Sequence, residues 1–436
     1  MFRHSFMLGL VLLAASASHA QSTAQPNTQS NPQSNPPSIL PVTASALEQE
    51  AGPLSLQAAI SLALDQNKTL AAARKEIEAV DATILQAGAR PNPEFSALLE
   101  DTRKSSRTTT YQINQPIELG GKRSARIEAA QRARDMAVLD YAAKRSELRA
   151  GVVAAYYEVM VATERQRLAH ELLALAGTSA AMTQRRVLAG KISPVEQTKA
   201  QVARSAAQLE LNQANSELSL ARQKLAMFWG ATLVRQSLSD QGVESLPPLP
   251  AIAQLTDKVA NGPAVRLARL EVERRRALAG IETSKRTPDV SLTLGNKRDE
   301  SSARNMWVVG FSVPIPVFDS NQGNELEALK RVDIARDALA LTELQMQGEA
   351  AQGFERLRNA REEATALRND IVPAAQSAYQ AARTGFELGK FGYLDVLDAQ
   401  RTYFQAKAQY WKALSAAFQA AADLDRLAGT ETPPAE

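Results

Sequence analysis

Cysteine is absent from this 436-residue sequence, and histidine occurs only three times. Without cysteine the chain can form no disulfide, no thiolate nucleophile and no lipidated N-terminal cysteine. Only His170 lies beyond the first 20 residues, so one chain cannot build a metal site from histidine and cysteine. The serine, histidine and aspartate residues show no catalytic motif spacing. We therefore expect no enzyme, no cofactor and no metal-chelating site.

Aromatic residues and long apolar runs are also scarce. Aromatics make up 5% of the chain, while Ala, Leu, Gln, Glu and Arg are abundant, which favours long helices. The 50 Lys and Arg residues nearly balance the 47 Asp and Glu residues without forming a basic cluster, which argues against nucleic-acid binding. After the N-terminus no run of about 18 apolar residues occurs, so we expect no membrane-spanning helix.

The first 20 residues have the pattern of a secretory signal peptide. Arg3 precedes an apolar stretch from Phe6 to Ala15, and Ser18-His19-Ala20 provides a small-residue cleavage site. Residues 21–52 are rich in Gln, Ser, Asn and Pro, and residues 430–436 are short and polar. Both segments are predicted to be disordered. The sequence thus predicts an exported protein.

Two similar stretches indicate that the rest of the chain is duplicated. LAGKISPVEQTKAQ begins at Leu188 and LGKFGYLDVLDAQR begins at Leu388, and their glycines lie about 199 positions apart. Each is predicted to form a tight turn between long helices, with tips near 188–194 and 387–394. The repeats would span 53–230 and 263–429, joined by a Pro-containing connector at 231–262. Each would open with a helix, the first reaching from about Leu54 to Ala89.

The helices around these turns are predicted to be long and closely packed. No proline occurs between Lys122 and Leu188, a length of roughly 100 Å if it is one helix. A second long helix should run from about Glu325 to Leu388 with a kink at Pro373. The returning helices carry matching 3–4 spaced stripes that fit a coiled coil or, equally, an ordinary antiparallel bundle. The stripes are Leu211, Ala214, Leu218, Ala221 and Leu225, and Tyr410, Ala413, Ala417, Ala420 and Leu424.

Between the helices of each repeat, the hydrophobic period changes from helical to alternating. The alternation predicts β-hairpins at 94–115 and 289–313, with strands that could reach the 9–11 residues a tilted strand needs to cross a bilayer. One such hairpin would suit a soluble protein. Two in matching positions behind an export signal favour a membrane sheet. Its lipid-facing aromatic residues would be Phe95, Tyr111, Trp307 and Phe311.

Taken together, these features resemble the TolC-like outer-membrane efflux channels over about Pro53 to Gly429. The segments ARPNPEF, ELGGKR and FDSNQGN look most like the branch that exports cobalt, zinc and cadmium. The resemblance implies a mainly α fold with a membrane β part. Three protomers would each give four strands to a shared 12-stranded outer-membrane barrel, and their helices would form a tunnel across the periplasm. Trimerisation would remove the open sheet edges that lipid does not tolerate.

The resemblance also assigns roles to the acidic residues of the tips. It implies that Asp395 and Asp398 face the lumen at the periplasmic end, where three copies would form stacked acidic rings that attract cations. Glu196 corresponds to Asp395, but Lys199 stands where the second acid would be. From the residues alone, Asp395 could instead favour the positive end of its own helix, with Asp398 solvated.

The turns themselves are implied to dock a periplasmic adaptor, through Leu188, Gly190, Leu388 and Gly389. A leucine beside a turn glycine is also a common helix C-cap, and both roles are compatible. Family members often close the tip with a basic residue and a tyrosine. Phe391 and Phe386 stand at those places here, which puts the same closing chemistry in doubt.

The implied function is a homotrimeric, passive exit duct in the outer membrane. A periplasmic adaptor and an inner-membrane pump of the RND type would be its partners, and heavy-metal cations its cargo. A multidrug-efflux or type I secretion duct could use the same scaffold. A soluble periplasmic coiled-coil scaffold is the alternative from a different class.

Overall fold

The computed structural model describes residues 52–234, 236–239, 246–388 and 390–429. The predicted signal peptide and both predicted tails, apart from Gly52, lie outside this part. The described residues are mostly helical and form the same series of elements twice. The first repeat contains α1 (Leu56–Gln66), α2 (Lys68–Ala87), β1 (Glu94–Glu100), β2 (Thr108–Ile117), α3 (Lys122–Leu188) and α4 (Pro194–Met227). The second contains α5 (Ile252–Ala260), α6 (Pro263–Ser284), β3 (Val290–Asp299), β4 (Arg304–Ser312), α7 (Gln322–Ala366), α8 (Val372–Glu387) and α9 (Tyr393–Ala428).

The prediction of a single opening helix from about Leu54 to Ala89 is wrong, because the helix is interrupted at Asn67. This residue is extended, with φ −64° and ψ 125°. Its side-chain oxygen accepts a hydrogen bond from the Leu70 amide at 3.0 Å, which caps the start of α2. Its side-chain nitrogen donates to the Phe228 carbonyl at 2.8 Å, at the end of α4. Through this hydrogen bond, Asn67 connects the beginning of the first repeat to its end.

The two long helices differ in continuity. In the first repeat α3 runs unbroken for 67 residues, roughly 100 Å. In the second repeat a π-helical turn, Leu367–Ile371, separates α7 from α8, and Pro373 follows it. Proline has no amide hydrogen and its ring clashes with the carbonyl four residues earlier, so the helix widens just before it. Val372 accordingly donates to the Leu367 carbonyl, five residues back.

One antiparallel sheet joins the two repeats. Its strand order is β1-β2-β3-β4, so the hairpin of each repeat pairs through the central strands β2 and β3. The outer edges of β1 and β4 have no partner strand among the described residues. This arrangement places four strands side by side at one end of the long helices.

The helices pack around small and apolar side chains. In the predicted stripes all residues except Leu211 and Tyr410 are buried, so the 3–4 spacing marks contact faces. At the centre of the first repeat's core, the Tyr156 hydroxyl lies 2.9 Å from the Leu54 carbonyl and 3.0 Å from that of Ser239. A parallel β-bridge between Leu54 and Leu238 also attaches the connector to the first repeat. None of the described helices combines the length and apolarity needed to cross a membrane.

Candidate functional site: two helical tips and an amphipathic sheet

The first tip is a tightly hydrogen-bonded helix end. After α3, Gly190 has a positive φ of 67°, a conformation that glycine adopts without strain. Its amide donates to the Val187 carbonyl at 2.9 Å, and the Lys191 amide donates to that of Arg186 at 2.9 Å. These two bonds define a Schellman motif, which satisfies the last carbonyls of α3. The side chain of Leu188 is 80% exposed beside this turn.

The helix that follows the first tip, α4, is capped at its start by a short polar sequence. The Ser193 hydroxyl accepts from the Val195 amide at 3.3 Å, and Pro194 occupies the first turn of α4. Glu196 follows in the same turn and forms an ion pair with Lys199 at 3.0 Å. The single carboxylate of this tip therefore has a cationic partner on its own helix.

The second tip uses different chemistry. Leu388 is the C-cap residue of α8 and is 67% exposed, while Gly389 lies outside the described residues. The Lys390 amide donates to the Gly385 carbonyl at 2.7 Å. The Phe391 ring lies directly over Gly385, where a Cβ atom would come within 2.1 Å of the ring. The Lys390 bond is the counterpart of the Lys191 bond at the first tip, and the second tip adds an aromatic side chain that covers the end of its helix.

Both acidic residues of the second tip are exposed on the first turns of α9. The Asp395 carboxylate accepts from the Gly392 amide at 2.8 Å and so caps the helix. Asp398 forms no ion pair with any described residue. Neither carboxylate has a cationic partner of the kind that Lys199 provides to Glu196. Because they lie three positions apart on one helix, they face a similar direction.

One contact links the two tips within a protomer. The Arg186 guanidinium, in the last turn of α3, lies 5.0 Å from the centre of the Phe386 ring in α8. This distance is within the range of a cation–π interaction. The contact has no local sequence signal because the partners are about 200 positions apart, although Phe386 stands out as a departure from the tip residues that the resemblance implies.

The sheet has two chemically different faces. Directly paired residues share a face, so the row of Phe95, Ile113, Leu294 and Val309 lies on one side. Tyr111, Trp307 and Phe311 lie on the same side, and these aromatic residues are 52–77% exposed. The four aromatic residues predicted to share a face therefore do so. The opposite face carries mostly polar groups: Ser96, Thr110, Gln112, Asn114, Thr293 and Lys297.

Charged groups mark the junction between the sheet and the helices. Lys122 forms an ion pair with Asp289 at 2.6 Å. Asn321 donates its side-chain amide to the Glu282 carboxylate at 3.0 Å, and Lys285 lies 2.7 Å from the same carboxyl group. These two contacts, that of Asn321 first, lower the pKa of Glu282. The level just below the strands is thus charged at neutral pH.

The described residues contain no group of three or more histidine, cysteine, aspartate or glutamate side chains positioned to hold a metal ion. The positions with distinctive chemistry are therefore the tips and the sheet.

Comparison with known proteins identifies the family of this chain. Residues 59–231 and 255–430, which together cover most of both repeats, match the outer membrane efflux protein family. The chain belongs to this family. It is 44% identical to the cobalt-zinc-cadmium resistance protein CzcC of Cupriavidus metallidurans, across 87% of this chain and 91% of that protein. It is 32% identical to the nickel-cobalt-cadmium resistance protein NccC of Alcaligenes xylosoxydans xylosoxydans, across 70% of each.

Solved structures agree on the fold. A membrane protein from Pseudomonas aeruginosa superimposes with a TM-score of 0.74 at 22% identity, covering 86% of this chain and 90% of that one. The CmeC outer membrane channel of Campylobacter jejuni gives a TM-score of 0.71 at 15% identity, covering 86% and 85%. The fold is accordingly that of the TolC-like channels, with two repeats and a small sheet.

Proposed function

We propose that this chain is the outer-membrane exit duct of a heavy-metal cation efflux system. The observation that carries the proposal is the four-stranded sheet, which has one exposed apolar face, one polar face and two free edges. In lipid, unpaired strand edges cost several kcal/mol per backbone group. Four strands are too few to close a barrel alone, whereas three copies would supply 12 strands and pair every edge.

The duct is a homotrimer in this proposal. The apolar face, with Phe95, Tyr111, Trp307 and Phe311, contacts outer-membrane lipid, and the polar face lines a water-filled lumen. The long helices of the three copies form a tunnel in the periplasm. The chain arrives there through its signal peptide. We assign it no catalytic step and no cofactor, so the driving force comes from an inner-membrane pump of the RND type.

The tips are the functional ends of the tunnel. Leu188 and Gly190 of the first tip, with Leu388 and Gly389 of the second, dock a periplasmic adaptor. Exposed leucines on rigid turns are suited to the apolar contacts of such docking. Asp395 and Asp398 line the periplasmic entrance, and Glu196 lies at the same level. Threefold repetition of unpaired carboxylates concentrates cations at the mouth.

Similarity to CzcC and NccC, whose names refer to cobalt, zinc, nickel and cadmium resistance, supports divalent metal cations as cargo. Passage would be passive. Carboxylates without histidine or cysteine attract such ions without holding them tightly.

Deletion of the gene in its native host tests the cargo. We expect lower tolerance to cobalt, zinc or cadmium, restored by the full-length chain on a plasmid. Unchanged metal tolerance combined with new drug sensitivity would reject the metal cargo in favour of multidrug efflux. Recovery of the protein from the periplasm without detergent would reject the duct itself and support a soluble scaffold.

A further inference from the structure

The segment that leaves β4 is the most exposed apolar stretch of the sheet end. We call Val313–Phe318, with the sequence VPIPVF, the exit segment. Ile315 is 82% exposed, Val317 71% and Phe318 95%. Two prolines remove the amide hydrogens that would let another strand pair with the segment. Its side chains rather than its backbone are therefore available for contact.

The equivalent exit of the first repeat is different. It follows β2, a central strand, and its backbone pairs with β3 as far as Ile117. Ile117 and Leu119 are each 40% exposed, and the Leu119 amide donates to the Asp289 carboxylate at 3.1 Å. Highly exposed apolar side chains are thus found at the second exit and not at the equivalent position of the first repeat.

The height of the apolar face indicates what the exit segment contacts. From Trp307 on β4 to Val313, the first residue after the strand, this face extends about 20 Å along the chain. A strand tilt of roughly 40° reduces this to about 15 Å, short of the ~25 Å apolar band of an outer-membrane barrel. Five residues follow, and the Val317 amide donates to the Ile315 carbonyl at 2.9 Å, so the chain bends and adds less than its extended length of about 15 Å. The exit segment therefore supplies part of the height that the strand lacks.

A second copy of the chain is poorly suited to cover the segment. When the free edge of β4 pairs with β1 of another copy, the residues next to the exit segment are those that precede β1. These are Ala89, Arg90, Pro91, Asn92 and Pro93, which include no large apolar side chain. Lipid can solvate Phe318 at this position, whereas the neighbouring chain offers little apolar surface.

We propose that the exit segment enters the periplasmic leaflet of the outer membrane and contacts phospholipid, with Phe318 near the headgroup boundary. This rests on the proposed function, because it requires the sheet to span that membrane. Aromatic side chains favour the interface, and Asn321, three residues after Phe318, bonds the Glu282 carboxylate of the charged junction at 3.0 Å. The segment would set how deeply the duct sits in the membrane.

The absence of native cysteine makes the test direct. The variants Phe318→Cys, Phe311→Cys and Val308→Cys are each labelled with a nitroxide in the full chain, and the assembled protein is reconstituted into phosphatidylethanolamine–phosphatidylglycerol vesicles. Collisions with oxygen, which concentrates in lipid, are compared with those of a water-soluble nickel chelate. We expect oxygen to dominate at 311 and 318, with a shallower depth at 318, and the chelate to dominate at 308 on the polar face.

The outcomes separate the inference from the function on which it rests. If oxygen dominates at 311 but the chelate dominates at 318, the sheet lies in lipid and the exit segment does not. A label at 318 that is shielded from both reagents indicates cover by protein and also overturns the inference. If the chelate dominates at 311 as well, the membrane-spanning sheet itself is rejected.

Discussion

Asn67 and Gly262 stand at the same point of the two repeats but secure it by different means. Each separates a short helix from the helix that leads to the sheet. Asn67 reaches the end of the return helix α4 through a 2.8 Å hydrogen bond to the Phe228 carbonyl. Gly262 lies so close to the end of α9 that a Cβ atom would be 2.2 Å from the Leu427 carbonyl oxygen. Both repeats thus have a junction at this point, but the residues and contacts that form it differ.

The two tips likewise share a chain reversal but differ in the residues that form it. Both reverse the chain between long helices, yet only the first is closed by a positive-φ glycine within the described residues, and only the second carries two carboxylates without a cationic partner. The second long helix also contains the π-helical turn that α3 lacks. The second repeat therefore combines the less regular helix with the more acidic tip, which is why we propose the gate there.

The largest effect is expected at the glycine junction. Gly262→Ala forces a Cβ against a backbone carbonyl that cannot move without α9, and overpacking of this kind costs about 1–3 kcal/mol. Chemical unfolding of the purified protein would measure it. Gly280→Ala is the control, because this glycine lies within α6, the helix that Gly262 precedes as N-cap, with no atom within 4 Å of its Cβ position. It should raise stability by ~0.5–1 kcal/mol. Equal effects would show that the close approach to Leu427 does not matter.

The asparagine junction should be slightly less sensitive. Asn67→Ala removes the α2 cap and leaves the Phe228 carbonyl without this donor, at a cost of about 1–2 kcal/mol. Asn67→Ser retains a capping oxygen but cannot reach Phe228, so it should lose only part of that stability. If the serine variant lost as much stability as the alanine variant, the hydrogen bond to the Phe228 carbonyl would account for the whole effect.

The difference between the tip glycines can be tested with one pair of variants. Gly190→Ala places a side chain at φ 67°, which costs roughly 1–2 kcal/mol. Gly392→Ala changes the N-cap of α9, where φ is −76° and a Cβ atom would lie 3.2 Å from the Asp395 carboxylate, so we expect a smaller loss than at Gly190. Thermal unfolding of both proteins would show whether the left-handed conformation makes Gly190 the more sensitive of the two. A larger loss for Gly392→Ala would contradict this distinction.

The smallest effect is expected for the contact between the tips. Arg186→Gln should cost ~0.5–1 kcal/mol through loss of the cation–π contact with Phe386. Arg185→Gln controls for the charge, because both arginines lie in the last turn of α3. A double-mutant cycle with Phe386→Leu isolates the pair. A coupling of zero would mean that the two tips are held together by other contacts.

The sequence predicted the elements with long, regular patterns. The bounds of α3 and the shared face of Phe95, Tyr111, Trp307 and Phe311 follow from periods that persist over many residues. The break at Asn67 was missed, although an asparagine ahead of a helical run is a recognised N-cap signal. At Pro373 a kink was expected, but the π-helical form depends on how the helix accommodates the proline.

The tip residues could be predicted only in part. Gly190 and Gly389 were visible as turn residues, and the structure describes the first of them. A place for Asp395 at the positive end of its own helix was one of two predicted roles, and its bond to the Gly392 amide agrees with that role and is compatible with a place at the lumen. Long-range contacts such as that of Arg186 carry no local sequence signal. Roles that need three copies, including the acidic rings, stay predictions.

Single-channel recording tests the gate most directly. The purified full chain is incorporated into planar lipid bilayers, and block by cadmium and other multivalent cations is measured. We expect Asp395→Asn combined with Asp398→Asn to weaken the block strongly, because two rings of negative charge are removed. Glu196→Gln, whose carboxylate is already paired with Lys199, should leave it nearly unchanged. Unaltered block in the double variant would show that these carboxylates do not line the narrowest point of the duct.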